Sequence, residues 1–331
     1  MAVTAGIRSV FTERRKGDVM LKYVLKRLGY ILVTLWVIVT CTFFMMKNLP
    51  GTPFDAERFS IMTPQQQERV LEMYGLNDSL PMQYVKYIKN MLKGDLGTSF
   101  TYVNQDVSKV ITGRLGPSAL IGIQAVLIGL AIGLILGILA AWKHNSGIDY
   151  LTMILAVLGV SVPNFVAAAL LQYYIGLKWG ALPVGFWTGW NCSVLPSIAL
   201  SFSATAMVAR FMRTEMLDVL DQDYIITARA KGLSQMKVLM RHAVRNSILP
   251  VVTILGPIVV NLMTGSLAVE NIFSIPGIGS LFVDCIKAND YPVIMGITIF
   301  YAAFYMLVVL VVDLAYSLID PRIRLAKGKE S

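Results

Sequence analysis

The residues best suited to covalent or metal chemistry are few, and their spacing does not serve it. The 331-residue chain has two histidines, His144 and His242, and three cysteines, Cys41, Cys192 and Cys285. An odd cysteine count with no paired spacing gives neither a disulfide framework nor a metal motif. No nucleophile–base pair stands out. No G-x-x-x-x-G-K-[ST] loop is present, so the chain has no phosphate cradle with which to hydrolyse ATP alone. It does carry one polar, basic stretch of unusual order, Asp221 to Pro250, reading DQDYIITARAKGLSQMKVLMRHAVRNSILP, with Arg229, Lys231, Lys237, Arg241 and Arg245. Asp223 suits the N-cap of a short helix over Tyr224–Lys231, and Gly232 suits the residue just past its end. Lys231 in the last turn favours the negative end of the helix dipole. Ser234 can cap a second helix to about Asn246, with Leu233, Met236 and Met240 on one edge, and Pro250 then stands in the first turn of the next element. Helix, glycine corner and helix make a stiff surface on which another protein can push. A solvated hairpin is the plainer reading of the same residues.

The elements that would hold this corner are apolar. The chain is 56% hydrophobic and 15% charged, against about 25% charged for an ordinary soluble domain. Six runs lack Asp, Glu, Lys and Arg: Leu28–Met46, Ser118–Trp142, Leu151–Leu177, a segment around Val194–Ala209 whose uncharged stretch begins at Trp179, Ile248–Val269 and Tyr291–Val312. A spanning helix needs roughly 20 residues, and long uninterrupted runs exclude the alternating strands of a membrane barrel. The first run is too long for a cleaved signal peptide and lacks its small-residue exit. It is read as a retained helix. Residues 1–20 are expected to be loosely ordered or to lie on the membrane.

Charge orients the spans. Lys and Arg number nineteen in residues 1–27, 143–150, 210–247 and 320–331, against two in 176–193 and 271–292. Basic residues collect in cytoplasmic loops, so both termini are expected inside. On this scheme Asn104 and Trp187 lie outside, and His144, Gln235 and Ser331 inside. The expected fold is an all-α membrane protein of six transmembrane helices, with a small helical extracytoplasmic region between helices 1 and 2. Its divisions are a cytoplasmic segment 1–27, a first span 28–46, the outer region 47–117, a core 118–320 whose cytoplasmic coupling loop is 213–247, and a tail 321–331. The net charge of +9 is then mostly a topology signal, and nucleic acid is not an expected partner.

The outer region holds two short helical patterns. In MTPQQQERVLEMYGL, Thr63 is the cap, Pro64 fits the first turn and Gly75 ends the helix. In MQYVKYIKNMLKG, Met82, Val85, Ile88 and Leu92 form one stripe and Gly94 ends it. Within the spans, Gly129, Gly133 and Gly137 share one face, where another helix can approach closely. Pro163 in SVPNF should break its helix, and Asn164 beside it either satisfies the freed groups or lines a pathway. Gln172, Ser201 and Asn261 are further polar candidates for a pathway. Asp313 is the one acid well inside an apolar run. Its closeness to the basic tail favours a structural partner over an ion relay.

The stretch TARAKGLSQMKVLMRHAVRNSILP resembles the cytoplasmic loop of binding-protein-dependent ABC importer permeases. That family's loop reads Glu-Ala-Ala, three residues, Gly, and later Ile-x-Leu-Pro. Here Ile226, Thr227 and Ala228 take the first three places and Gly232 is the glycine. Ser247-Ile248-Leu249-Pro250 is similar to the end, at a longer spacing. The chain lacks the glutamate. LPGTP (Leu49–Pro53), YGLNDSLPMQY, GDLGTS (Gly94–Ser99), SVPNF, ENIFSIPGIG (Glu270–Gly279) and DLAYSLIDPRIR follow the order of the B-type permease subunit of oligopeptide and dipeptide importers. The resemblance spans nearly the whole chain. It implies a related C-type permease partner, two cytoplasmic ATPases that use ATP and Mg, an extracytoplasmic peptide-binding protein and surrounding membrane lipid, in a bacterial or archaeal cytoplasmic membrane. No cofactor or metal belongs to the chain itself, and it is not expected to be an enzyme. Thr227, Ala228, Arg229, Ala230, Lys231, Gly232 and Leu233 would couple to the ATPases. Glu270, Asn271, Pro276, Gly277 and Gly279 would form an outer gate, the last three by allowing sharp turns. A permease for nickel or another solute is the nearest alternative, disfavoured because no histidine lies outside or in a span. A proton-coupled secondary transporter is disfavoured by the scarcity of buried charge.

Overall fold

A computed structural model describes residues 2–48, 59, 61–73, 75–102, 104–263 and 266–319. Leu49–Pro53, the Asp313 side chain and the tail 321–331 lie outside the described residues. Apart from an isolated antiparallel bridge between Thr98 and Asp106, these residues form helices joined by turns.

Helix α1 runs from Ala2 to Lys47 without a break. Residues 2–20 therefore continue the first span as helix rather than lying loose. The outer region supplies α2 (Pro64–Met73) and α3 (Leu80–Leu92). Thr63 begins α2, and its backbone N–H donates to Gln66 Oε1 at 2.9 Å, one half of a capping box. Gly75 and Gly94 follow the two helices at φ +65° and +82°. Of the stripe on α3, Met82, Val85 and Leu92 are exposed and Ile88 is half-buried, while Tyr84 and Tyr87 pack their rings on Phe43 of α1, and the Tyr84 hydroxyl bonds Thr40 Oγ1 at 2.7 Å. Aromatic rings offer more area and a polar tip that finds a partner.

Helix α4 (Val107–Trp142) starts well before the uncharged run and carries Pro117 inside it. Helix α5 (Gly147–Ser161) stops at Pro163, and α6 (Asn164–Leu171) leaves at 100° to it, continuing as a π-turn over Gln172–Lys178. The break expected at Pro163 is thus the sharpest bend in the chain's described spans. Helix α7 (Val194–Leu220), preceded by a 3₁₀ turn over Trp190–Ser193, packs along α4. A Cβ on Gly129 or Gly133 would stand 2.7 Å from the Cβ of Ala204 or Val208, and one on Gly137 would stand 2.6 Å from the Ala209 carbonyl oxygen. Those glycines let α4 and α7 meet backbone to backbone, and this seam forms the main core with Leu195, Ala199, Met212 and Met216.

Then follow α8 (Asp223–Ala230), α9 (Gln235–Val238) with a π-turn over Leu239–Val244, and α10 (Arg245–Met263). No break falls at Asn246, and Pro250 sits inside α10 rather than at a helix start. In an apolar surround a helix interrupted by proline is held by its neighbours, here α4, α7 and α13. The chain closes with α11 (Leu267–Ile272), α12 (Ile278–Lys287) and α13 (Tyr291–Ile319). Among the described residues, five helices are long and apolar enough to cross a membrane, and the bent pair α5–α6 makes a sixth if counted as one span.

Candidate functional site

The polar corner at one end of the bundle is built by local rules. Helix α8 ends in a Schellman arrangement: the N–H of Gly232 donates to the Arg229 carbonyl at 3.0 Å, and that of Leu233 to the Ala228 carbonyl at 3.4 Å. Gly232 has φ +78°, a conformation that costs glycine least. Ser234 stands at the N-cap of α9 in extended geometry. Gln222 rather than Asp223 takes the N-cap place of α8. Beneath the corner, Ile225, Ala228 and Val238 are buried with Val219, Leu220 and Leu233 around them. Tyr224 is tied to the start of α10, its hydroxyl accepting from Asn246 Nδ2 at 2.9 Å. The outward face carries Ile226, Thr227, Arg229, Ala230, Lys231, Gly232, Met236 and Met240, all exposed. Of the seven coupling candidates, Ala228 therefore supports the corner from within, and Leu233 is half-buried. Exposed apolar side chains set among cations give the corner the make-up of a docking surface.

A second cluster lies around Glu270 in α11. Its carboxylate is 2% exposed and no cation is paired with it among the described residues. Ser118 Oγ, from α4, donates to Glu270 Oε1 at 2.7 Å, and the Ser280 N–H donates to Oε2 at 2.9 Å. Ser118 also accepts from the Ile278 N–H at 2.9 Å. Gly277 and Gly279 were expected as turn formers, but neither has positive φ; Ser274 does, at φ +51°. They serve by absence. A Cβ on Gly277 would come within 2.3 Å of the Glu270 carboxyl carbon, and one on Gly279 within 3.0 Å of Oε2. The segment is anchored laterally as well. Gln172 Nε2, in the π-turn after α6, donates to the carbonyls of Val184 at 2.6 Å and Ile272 at 2.7 Å. The Phe186 N–H donates to the Phe273 carbonyl at 2.8 Å. Glu270, Gly277, Gly279 and Gln172 are thus one constellation. Pro276 is half-buried beside it, and Asn271 is exposed.

Residues 133–325 match the family described as "Binding-protein-dependent transport system inner membrane component", and residues 20–117 match its N-terminal companion. The chain is 46% identical over 306 residues to the dipeptide transport system permease protein DppB of Lactococcus lactis subsp. cremoris, covering 92% of this chain and 100% of that one. It is 43% identical to DppB of Bacillus subtilis over 93% of this chain and 99% of that one. It is 38% identical to the oligopeptide transport system permease protein OppB of Escherichia coli K12, over 92% and 100%. The chain belongs to the binding-protein-dependent transport system inner membrane components. It is a multi-pass membrane protein, and its relatives are permease proteins of dipeptide and oligopeptide transport systems.

The remaining candidates of this inner membrane component are scattered. Asn164 is half-buried at the start of α6, beside the exposed Pro163. Ser201 is buried in the α4–α7 seam, its hydroxyl bonded to the Ile198 carbonyl at 2.8 Å. Asn261 is exposed on α10. Two polar clusters escaped the sequence reading. Asp149, in the first turn of α5, receives Arg213 of α7 in a two-pronged ion pair, Nε to Oδ1 at 2.5 Å and Nη2 to Oδ2 at 2.8 Å. The Asn145 N–H adds a bond at 3.0 Å, and His144 Nδ1 lies 3.1 Å from Oδ2. Asp290, fully buried before α13, accepts from Ser99 Oγ, from the Thr101 N–H at 3.0 Å and from the Phe100 N–H at 3.2 Å. That bond set fixes GDLGTS to the α12–α13 corner. Asp290 was findable as an N-cap type one residue ahead of Tyr291-Pro292. Nothing local marks Asp149 and Arg213 as partners.

Proposed function

We propose that the chain is the pore-forming subunit of an ATP-driven oligopeptide importer in the cytoplasmic membrane of a bacterium. The observation that carries the reading is end-to-end similarity to dipeptide and oligopeptide permeases, joined to a stiff, exposed, basic corner between two spans. Both termini and the loop 213–247 face the cytoplasm; the region 47–117 and the Glu270 cluster face outward. Two ATPase subunits, which bind ATP and Mg, dock on the corner at Thr227, Arg229, Lys231 and their neighbours. A related C-type permease completes the pore, and a separate peptide-binding protein delivers substrate. The core 118–320 then works by alternating access, the Glu270–Gly279 segment closing the outer side. Asn164, Gln172, Ser201 and Asn261 supply scattered polar groups for a pathway that must pass varied side chains without gripping any. Selectivity rests with the binding protein, since a ligand shifts a two-state equilibrium only through differential affinity.

The orientation is open to direct test. Single cysteines at Asn104 and Gln235, both exposed, are placed in a chain without the native thiols. Buried Cys285, whose thiol burial pushes up to about 12, would in any case react poorly. An impermeant thiol reagent on intact cells is expected to label Asn104→Cys and to reach Gln235→Cys only after permeabilisation. Labelling of Gln235→Cys in intact cells would invert the topology.

A further inference from the structure

The coupling corner and the Glu270 segment lie at opposite ends of the proposed pathway, and a covalent and hydrogen-bonded route joins them through Arg213 and Asp149, which have no part in either. The corner helix α8 follows α7 after only Asp221 and Gln222. Two turns back on α7 is Arg213. Its guanidinium is 20% exposed and grips the Asp149 carboxylate, which is 2% exposed. A planar guanidinium holding both carboxylate oxygens fixes orientation as well as distance. Asp149 opens α5, which runs to the 100° bend at Pro163 and on through α6 to Gln172. Gln172 Nε2 ends the route on the Ile272 carbonyl of the outer segment.

The outer face of α5 carries Tyr150, Leu151, Ile154, Leu155, Val157 and Leu158, all exposed, as expected for a face in lipid. Its inner face packs on α7 and α4, with Thr152 and Ala156 buried, and near its upper end a Cβ on Gly159 would stand 2.9 Å from Ala206 Cβ. Apolar packing holds the helices side by side without direction, whereas a two-pronged ion pair fixes one helix on the other at a single register.

We propose that Asp149 and Arg213 form a positioning pair that makes the α5–α6 arm move with the coupling corner, so that displacement of the corner reaches the outer segment at Ile272. The inference rests on the reading of the corner as the ATPase dock. The pair's work is to make two helices one body, and coupling over such a distance needs a contiguous element of this kind to be more than proximity.

Removing one partner leaves a buried charge without its counter-ion, which destabilises a protein whatever the pair's role. The informative variant is the neutral pair Asp149→Asn with Arg213→Gln, which removes both charges together and leaves no buried ion, with an amide too short to repeat the two-pronged grip. The assembled transporter, with its native cysteines replaced, is spin-labelled at Lys231 and at exposed Val157 of α5. A control carries labels at Lys231 and at exposed Met207 of α7. The neutral pair is expected to broaden the Lys231–Val157 distance distribution about twofold and to leave Lys231–Met207 unchanged. Peptide taken up per ATP hydrolysed is expected to fall at least tenfold at equal membrane level. Arg213→Lys should be intermediate, keeping charge but losing the two-pronged grip. Unchanged widths, or uptake and hydrolysis falling in strict proportion, would overturn the proposal. Absence of ATP-driven uptake by the unmodified transporter would count against the importer reading alone, and the distance widths would still decide the pair.

Discussion

Gly277→Ala is expected to abolish most transport although it adds one methyl group. The new carbon would lie 2.3 Å from both the carboxyl carbon and Oε2 of Glu270, far inside any van der Waals contact. The carboxylate must then swing away from its donors, Ser118 Oγ and the Ser280 N–H. Overpacking costs about 1–3 kcal/mol, and a buried acceptor left unsatisfied costs about the same again or more when charged. Uptake should fall roughly tenfold or more, since about 1.4 kcal/mol is a factor of ten. Gly279→Ala, with its Cβ 3.0 Å from Oε2 and from the Leu267 nitrogen, should be milder. A mutant cycle isolates the cause. If the clash with Glu270 is the whole defect, Gly277→Ala combined with Glu270→Ala should be no worse than Glu270→Ala alone. Uptake and thermal midpoint of the assembled transporter are the measurements. Additive losses would mean that Gly277 serves some other contact.

Gly232→Val is expected to leave the protein inserted and to uncouple it. No atom lies within 4 Å of the Cβ such a variant would gain, so sterics with neighbours are not the obstacle; the backbone is, at φ +78°. A left-handed conformation costs an L residue about 1–2 kcal/mol, and a β-branched one suffers most. The corner relaxes by giving up the bonds of Gly232 to Arg229 and of Leu233 to Ala228, which set the angle between α8 and α9. Gly232→Asn should be the best tolerated substitution, Ala intermediate and Val the worst. Ala228→Arg belongs beside it for a different reason. Ala228 is 7% exposed in the small core with Ile225 and Val238, so the arginine would open the corner from inside rather than obstruct a partner at its surface. Co-purification of the ATPases and peptide uptake at matched membrane levels measure both. Normal uptake by Gly232→Val would contradict the role given to this corner.

What could be read from the sequence was whatever local rules decide. Pro163 lacks an N–H, and the helix breaks there. Gly232 and Ser234 end one helix and begin another, as their residue types require. Three gaps share one cause, the neighbour that a sequence does not show. The stripe Met82, Val85, Ile88 and Leu92 shows which residues share a face of α3 but not what that face meets, and it is Tyr84 and Tyr87 that pack on Phe43. Pro250 looked like a helix start, yet packing carries α10 through it. Gly277 looked like a turn residue, and its reason is the Glu270 carboxylate. The polar contacts that organise both ends join residues far apart in the chain, Asp149 to Arg213 across 64 positions and Ser118 to Glu270 across 152. No spacing rule reaches that far.

The central claim is that ATP hydrolysis in partner subunits drives peptide through this chain. The most direct measurement is accumulation of a mass-coded peptide library by membrane vesicles that contain the assembled transporter and its binding protein. ATP on the cytoplasmic face and an imposed proton gradient are supplied separately. The account predicts that ATP alone drives accumulation of many peptides and that collapsing the proton gradient does not reduce it. Accumulation driven by the proton gradient without ATP, or ATP-driven entry of nickel with no peptide, would contradict it.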